Sequence, residues 1–211
     1  MCVKFQESAL EQLRIKVCGA MSEKRFRHTA EVEKMAVRIG KLYAPEKIDV
    51  LRAAALLHDI TKEYSPQRQI ALCRELGIRI SKQDILTPKT FHAKTAAGLI
   101  PLQYPAFADA EVISAVRWHT TGRAKMRLTE KIIYLADYID ESRTFPDCVA
   151  LRNLFWDADP AGMSPIERRK HLDRVLIRSF DMTVLALTEE GEPIADATIA
   201  ARNWLITSSR L

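Results

Sequence analysis

An adjacent histidine and aspartate, His58 and Asp59, close a stretch of small and apolar residues that runs from Ala53 to Leu57. Such a stretch predicts a helix in the core, where two ionisable side chains are costly to desolvate unless something pairs with them. A metal ion supplies that compensation, and imidazole with carboxylate suits iron, manganese, cobalt or zinc better than calcium or magnesium. For this dipeptide alone, a histidine at a helix C-terminus beside an exposed aspartate is the simpler interpretation.

Three other histidines and a second aspartate strengthen the metal interpretation. His28 lies in the first turns of a predicted helix, and His92 and His119 lie at helix ends. Asp137 falls inside an apolar helix, where it needs either a metal or hydrogen bonds from hydroxyls or an arginine. Several metal-type ligands at the ends of apolar helices predict a site built between the helices of a bundle. The fifth histidine, His171, follows a basic run on an exposed-looking face and is left outside the site.

The elements that must position these residues are helices, because apolar residues recur at helical spacing and only seven glycines interrupt the chain. We expect an all-α protein with one domain over residues 1–211, comprising a metal-binding core over about 23–145 and C-terminal helices over about 146–211 that cover it. Residues 87–90 are expected to form a loop. The predicted helices span about 5–18, 23–43, 48–57, 66–76, 92–102, 107–118, 129–142, 147–155, 165–190 and 196–205.

Composition limits the function classes. The 211-residue chain has 47% hydrophobic residues and a formal charge of +5, which suits an anionic ligand such as a polyphosphate. The sequence contains no dense basic run, so we expect no nucleic-acid partner. The four cysteines, at positions 2, 18, 73 and 148, form no CxxC pair, which indicates free thiols in a reducing cytoplasm. We find no signal peptide and no apolar run of 18 residues, which predicts a soluble cytoplasmic protein without a membrane partner.

A longer block of sequence carries a family resemblance. Residues 118–143, which contain the run His119-Thr120-Thr121-Gly122-Arg123, resemble the YqeK family of bacterial HD-domain proteins, which are symmetrical diadenosine tetraphosphate hydrolases. Residues 57–62, residues 198–205 and the Arg-x-x-His setting of His28 match the same family, so the resemblance extends over about residues 23–206. Two positions depart from the family pattern: Ala93 stands where glycine is common, and Ala195 where histidine is common.

The resemblance implies an HD-domain helical bundle and a set of roles. A first metal would be held by His28, His58, Asp59 and Asp137, and a second by His92 and His119, with Asp59 as the bridge. Asp59, Lys62, His92 and His119 would take part in catalysis, with either histidine as an acid if only one metal binds. The expected nucleotide contacts are Lys62, Thr120, Arg123, Arg143, Thr198 and Arg202. For Lys62, Thr120, Arg123 and Arg202, an ordinary role at the surface or in a loop stays open.

The expected reaction is symmetrical cleavage of diadenosine tetraphosphate to two ADP molecules by a metal-activated water. Iron is the expected metal, with manganese, cobalt or nickel as alternatives, and a homodimer is a candidate assembly. Two other functions stay open. One is an HD phosphohydrolase acting on a mononucleotide, a dNTP or a cyclic nucleotide, and the other is a non-catalytic nucleotide binder.

Overall fold

We describe residues 4–208 of a computed structural model of the chain. Within this range the fold is all-α, as predicted, with eleven α-helices, three short 3-10 turns and no strand. The helices are α1 Glu7–Cys18, α2 Glu23–Tyr43, α3 Ile48–Leu57, α4 Pro66–Glu75, α5 Lys82–Leu86, α6 Phe91–Gln103, α7 Ala110–Trp118, α8 Leu128–Ile139, α9 Pro146–Trp156, α10 Pro165–Glu189 and α11 Asp196–Ser208.

Helix α3 occupies the centre of the core. Its residues 53–57 are 0% exposed, and it packs against α1, α2, α7 and α8. Three consecutive alanines at 53–55 leave room for neighbouring helices on every side, which explains how one short helix contacts four others. Because His58 and Asp59 follow directly after Leu57, this packing carries them into the interior.

Several predicted boundaries were wrong for local reasons. Helix α8 ends at Ile139 instead of 142, because Asp140 turns to an extended conformation and its carboxylate accepts a bond from the Ser142 backbone. It begins at Leu128 instead of 129. Helix α5 was missed although a capping box of Ser81 and Asp84 begins it. Residues 88–90, expected as a loop, form a 3-10 turn, and α11 ends at Ser208 instead of 205.

The C-terminal helices pack against the side of the bundle. Helix α10 contacts α8, α9 and α11, and the rings of Phe180 and Tyr134 lie 4.6 Å apart between α10 and α8. His171 on α10 is buried and donates from Nε2 to the Phe155 carbonyl. The prediction that it lies on an exposed face was therefore wrong. Between residues 4 and 208, no helix is both long and apolar enough to cross a membrane. Cys18, Cys73 and Cys148 have free thiols, and Cys2 lies outside the described residues.

Candidate metal centre

Side chains from five segments meet beside the end of α3. His58 and Asp59 follow α3, and His119 follows the last residue of α7. His92 is the second residue of α6, His28 lies in the second turn of α2, and Asp137 lies in the last turn of α8. The six residues predicted as metal ligands therefore come together in one place, although 109 positions separate His28 from Asp137 in the chain.

Three of the four imidazoles are fixed by the same main-chain contact. Nδ1 of His58 lies 2.6 Å from the Ala55 carbonyl, Nδ1 of His92 lies 2.8 Å from the Lys89 carbonyl, and Nδ1 of His119 lies 2.7 Å from the Val116 carbonyl. A carbonyl only accepts, so each Nδ1 must carry the proton and donate it. In a neutral ring this leaves the Nε2 lone pair free, and each Nε2 points at the cluster.

The carboxylate of Asp59 lies between two groups of nitrogens. Its Oδ1 is 3.4 Å from His92 Nε2 and 3.6 Å from His119 Nε2. Its Oδ2 is 3.4 Å from His58 Nε2 and 3.9 Å from His28 Nε2. One oxygen therefore faces each group, which is the arrangement a bridging carboxylate requires.

The group on the Oδ2 side is completed by Asp137. Its Oδ1 lies 3.0 Å from His28 Nε2 and 3.8 Å from His58 Nε2. Ligand atoms of His28, His58 and Asp137 lie within 4.8 Å of one another, and so do those of His58, Asp59 and His119. The distances therefore describe two adjoining groups. His92 and His119 lie beside Asp59 Oδ1, whereas His28, His58 and Asp137 lie beside Asp59 Oδ2.

The residues fit a divalent cation because several of their atoms have no other partner. Nε2 of His92 and Nε2 of His119 are 3.1 Å apart, and burial holds the pKa of His92 well below its usual range, so His92 is neutral. Its Nε2 lone pair then faces the second ring, with Lys62 Nζ 3.2 Å away as a donor and the Thr120 hydroxyl 3.0 Å from both nitrogens. Among the described residues, no hydrogen-bond partner is found for His58 Nε2 or Asp59 Oδ1. A bound cation would satisfy these buried atoms.

Two arginines form ion pairs with the carboxylates of the cluster. Arg143 donates from Nη2 to Asp137 Oδ1 at 2.6 Å, and Arg25 donates from Nη1 to Asp59 Oδ2 at 2.7 Å. Burial opposes ionisation of Asp137, but the Arg143 guanidinium and the neighbouring imidazoles keep the pKa of this carboxyl well below its usual range. Arg143 thus contacts Asp137, which is a predicted metal ligand. Its expected contact with a substrate phosphate stays a prediction. Sequence reasoning missed Arg25, although it stands one helical turn before His28.

Asp140 is a second residue that sequence reasoning missed. It is 0% exposed, and its Oδ2 lies 3.3 Å from His28 Nδ1 and accepts from Arg143 Nε at 3.1 Å. Burial alone would lower the pKa of His28, but the carboxylates of Asp137 and Asp140 outweigh it and raise this pKa to about 9. The spacing of Asp137 and Asp140, one turn apart at a helix end, was the available signal.

The predicted nucleotide contacts divide into two sets. Lys62 is exposed and its Nζ lies 3.2 Å from His92 Nε2, and Thr120 touches both His92 and His119 as described above. Arg123, in contrast, makes a two-pronged ion pair with the fully buried Glu130, at 2.9 and 3.0 Å. Arg202 forms an ion pair with Asp181. The structure thus brings Lys62 and Thr120 to the cluster and gives both arginines acidic partners elsewhere.

Two cavities open beside the cluster on either side of the turn at residues 88–90. The first, here the α10–α11 chamber, has a volume of about 270 Å³ and is lined by Thr120, Leu187, Ala195 and Thr198 among others. The second, here the Tyr64 chamber, has a volume of about 380 Å³ and is lined by Lys62, Tyr64, Pro66, Gln69, Pro88, Lys89 and His92. These volumes lie near the lower end of the roughly 300–1,000 Å³ that small-molecule sites occupy.

Comparison with known proteins places this site in a family context. A family model described as the HD domain matches residues 25–142, which contain all six residues of the cluster. A protein named symmetrical bis(5'-nucleosyl)-tetraphosphatase from Halalkalibacterium halodurans is 31% identical over 192 residues, covering 90% of this chain and 93% of the relative. Proteins of the same name from Bacillus subtilis and Staphylococcus aureus are 28% and 29% identical, over 90% and 87% of this chain and 93% and 88% of their own lengths.

A solved structure shares the fold. It is a protein from Clostridium acetobutylicum described as a predicted HD superfamily hydrolase involved in NAD metabolism. The two structures superpose with a TM-score of 0.79 at 31% sequence identity, over 94% of this chain and 97% of the other. The similarity therefore includes the C-terminal helices as well as residues 25–142.

Proposed function

The chain belongs to the HD-domain family, and within it to the YqeK group of symmetrical bis(5'-nucleosyl)-tetraphosphatases, and on this premise we propose that it hydrolyses diadenosine tetraphosphate to two ADP molecules. The single observation that carries the proposal is the convergence of His28, His58, Asp59, His92, His119 and Asp137, with their unpartnered buried atoms, next to two nucleoside-sized chambers. A site with these donors suits metal-dependent cleavage of a phosphoanhydride bond.

The proposed ligand sets follow from the distances. His28, His58, Asp137 and Asp59 Oδ2 would hold one divalent metal, and His92, His119 and Asp59 Oδ1 would hold another. When bound, such a pair supplies Lewis acidity and a water nucleophile at neutral pH. We propose iron, with manganese, cobalt or nickel as alternatives, because imidazole and carboxylate ligands suit all four. Elemental analysis of aerobically purified protein tests the identity.

The chain's own residues would bind and orient the substrate. Lys62 places an exposed ammonium beside His92, where it can offset the negative charge of a phosphate that reaches the cluster. Thr120 can turn its hydroxyl from His92 and His119 to a phosphate oxygen once those nitrogens have another partner. Arg143 keeps Asp137 ionised, and Arg25 and Arg143 hold Asp59 and Asp137 in position.

One nucleoside would occupy the α10–α11 chamber. Its lining is mostly apolar and combines the side chains of Leu187, Pro193 and Ala195 with the hydroxyls of Thr120 and Thr198. Such a surface suits a base and a ribose that is hydrogen-bonded by a few hydroxyls. Ala195, which replaces the histidine common at this position, leaves the chamber more open there.

Product analysis tests the function. Metal-loaded protein is incubated with diadenosine tetraphosphate, and we expect ADP as the main product. Mainly ATP and AMP would contradict symmetrical cleavage, and faster turnover of a mononucleotide, dNTP or cyclic nucleotide would favour a different HD phosphohydrolase. Asp59→Ala is expected to abolish turnover. A non-catalytic binder would have no turnover to lose, so wild-type activity separates the two.

The remaining proposals concern the whole molecule. We propose one functional unit over the chain, a cytoplasmic location and a homodimer as the assembly to test first. Size-exclusion chromatography with light scattering measures the mass in solution, and a mass of about 24.0 kDa instead of twice that value would contradict the dimer.

A further inference from the structure

The two chambers are arranged as a pair around the cluster. Pro88 and Lys89, in the 3-10 turn before α6, line both of them and form the wall between them. His92 lines the Tyr64 chamber, and Thr120 lines the α10–α11 chamber. The Thr120 hydroxyl is 3.0 Å from His92 Nε2, so a residue of one chamber's lining contacts a residue of the other's beside the cluster.

This arrangement matches the shape of a symmetrical dinucleotide. Cleavage at the central bond leaves two phosphates and one nucleoside on each side of the bond that breaks. If the central phosphates lie at the cluster, each half of the molecule leads away from it, and a nucleoside is expected on each side. The α10–α11 chamber provides for one of them, so the second requires another cavity at a similar distance.

The Tyr64 chamber has the chemistry for the second nucleoside. The Tyr64 side chain is 37% exposed, and beside it stands the ring of Pro66, so the wall contains surfaces on which a base can stack. Lys62 and Lys89 line the same space, and the Lys62 ammonium, 3.2 Å from His92 Nε2, suits the phosphates that join the base to the cluster.

The wall behind this chamber is already in place. Gln69 is 4% exposed, and its amide donates to the Thr61 carbonyl and accepts from the Thr95 hydroxyl. Thr61 in turn donates to the His92 carbonyl at 3.0 Å. These bonds connect the wall to the segments that carry Asp59 and His92. The surface is therefore formed before a ligand arrives, and little affinity is lost in ordering it.

We propose that the Tyr64 chamber binds the second nucleoside of the dinucleotide substrate, with Tyr64 as its stacking surface. The proposal rests on the proposed function. It makes Tyr64 a specificity-determining residue that favours a substrate with two nucleosides over one with a single nucleoside.

Equilibrium binding tests the proposal without turnover. The probes are a diadenosine tetraphosphate analogue with a methylene bridge at the central position and ADP, each titrated calorimetrically into metal-loaded protein. We expect Tyr64→Ala to weaken binding of the analogue by about 5- to 150-fold, the range that loss of base stacking gives. The affinity for ADP should be unchanged. Tyr64→Phe should retain the wild-type affinity because it keeps the ring.

A matched control is available on another face. Trp204→Ala removes an aromatic side chain of similar exposure, 38%, that lines neither chamber, and it should leave both affinities unchanged. Equal weakening of analogue and ADP by Tyr64→Ala, or no weakening of either, would overturn the proposal. Because the readout is binding, asymmetric products in the hydrolysis assay would contradict the proposed function and leave this result interpretable.

Discussion

Asp140 and Asp137 bracket the imidazole of His28 from opposite edges. Asp140 Oδ2 lies 3.3 Å from Nδ1, whereas Asp137 Oδ1 lies 3.0 Å from Nε2. The Asp140 carboxylate therefore orients the His28 ring from the side away from the cluster. In the other three histidines, a main-chain carbonyl orients the ring in the same way.

Asp140→Asn is expected to weaken metal binding by about 10- to 100-fold, since outer residues that orient a metal-binding histidine typically contribute that much. The measurement is a competitive metal titration, with circular dichroism to verify the fold. Glu141→Gln is a matched control, because it removes the same charge from the next residue, whose side chain is 52% exposed. Equal affinities for Asp140→Asn and wild type would argue against an orienting role.

Substitution of single histidines should separate the two halves of the cluster. His28→Ala removes a ligand from the Asp137 side, and His92→Ala removes one from the other side, so each is expected to lose about one metal equivalent. Elemental analysis of protein purified in parallel measures this. His171→Gln, which lies outside the cluster, should keep the wild-type metal content. Loss of all metal in both variants would show that the halves do not bind independently.

Metal affinity should increase with pH. With its pKa at about 9, His28 carries a proton at neutral pH in the metal-free protein, and a metal must displace it. Displacing one proton predicts an affinity that increases about tenfold per pH unit below this pKa and then levels off. Titrations between about pH 7 and pH 10 test it. Asp140→Asn removes a negative neighbour, so its plateau should begin at lower pH, and a flat wild-type profile would contradict the assignment.

How far the sequence predicts this molecule depends on whether a signal is local. The small residues 53–57 predicted a buried helix, and the types of His58, Asp59 and Asp137 predicted ligands, because burial of such groups is costly whatever the fold. Arg25 and Asp140 were given no role of their own because their value comes from partners 34 and 112 positions away. Arg123 could not be assigned either, since only tertiary packing reveals that it faces a buried glutamate.

Gly122→Ala should destabilise the fold more than Gly77→Ala. Both glycines have positive φ, at 62° and 64°, so both substitutions incur the same backbone strain of about 1 kcal/mol. At Gly122 the added Cβ would also lie 2.7 Å from Phe180 Cζ and 3.0 Å from Ala201 Cβ, whereas at Gly77 it meets open space. We expect about 1–3 kcal/mol of additional loss in denaturant unfolding. If both variants lost the same free energy of unfolding, α10 and α11 would have to shift freely to accommodate the methyl group.

Arg123→Ala should lower stability more than it alters catalysis. It leaves the fully buried Glu130 without its guanidinium partner, at a cost on the order of 2–3 kcal/mol. Thermal or denaturant unfolding measures the loss, and Arg123→Leu combined with Glu130→Gln should recover part of it because no buried charge remains. A normal stability with a strongly raised KM would instead restore the phosphate role expected for Arg123.

The contacts of His58, His92 and His119 with the carbonyls three residues before them have an evolutionary consequence. A carbonyl is common to every amino acid, so positions 55, 89 and 116 can change identity without disturbing the rings, provided that the backbone keeps its path. Only His28 relies on a partner that mutation can delete. Distant homologues should therefore vary in residue type at positions 55, 89 and 116 and should keep the aspartate at position 140.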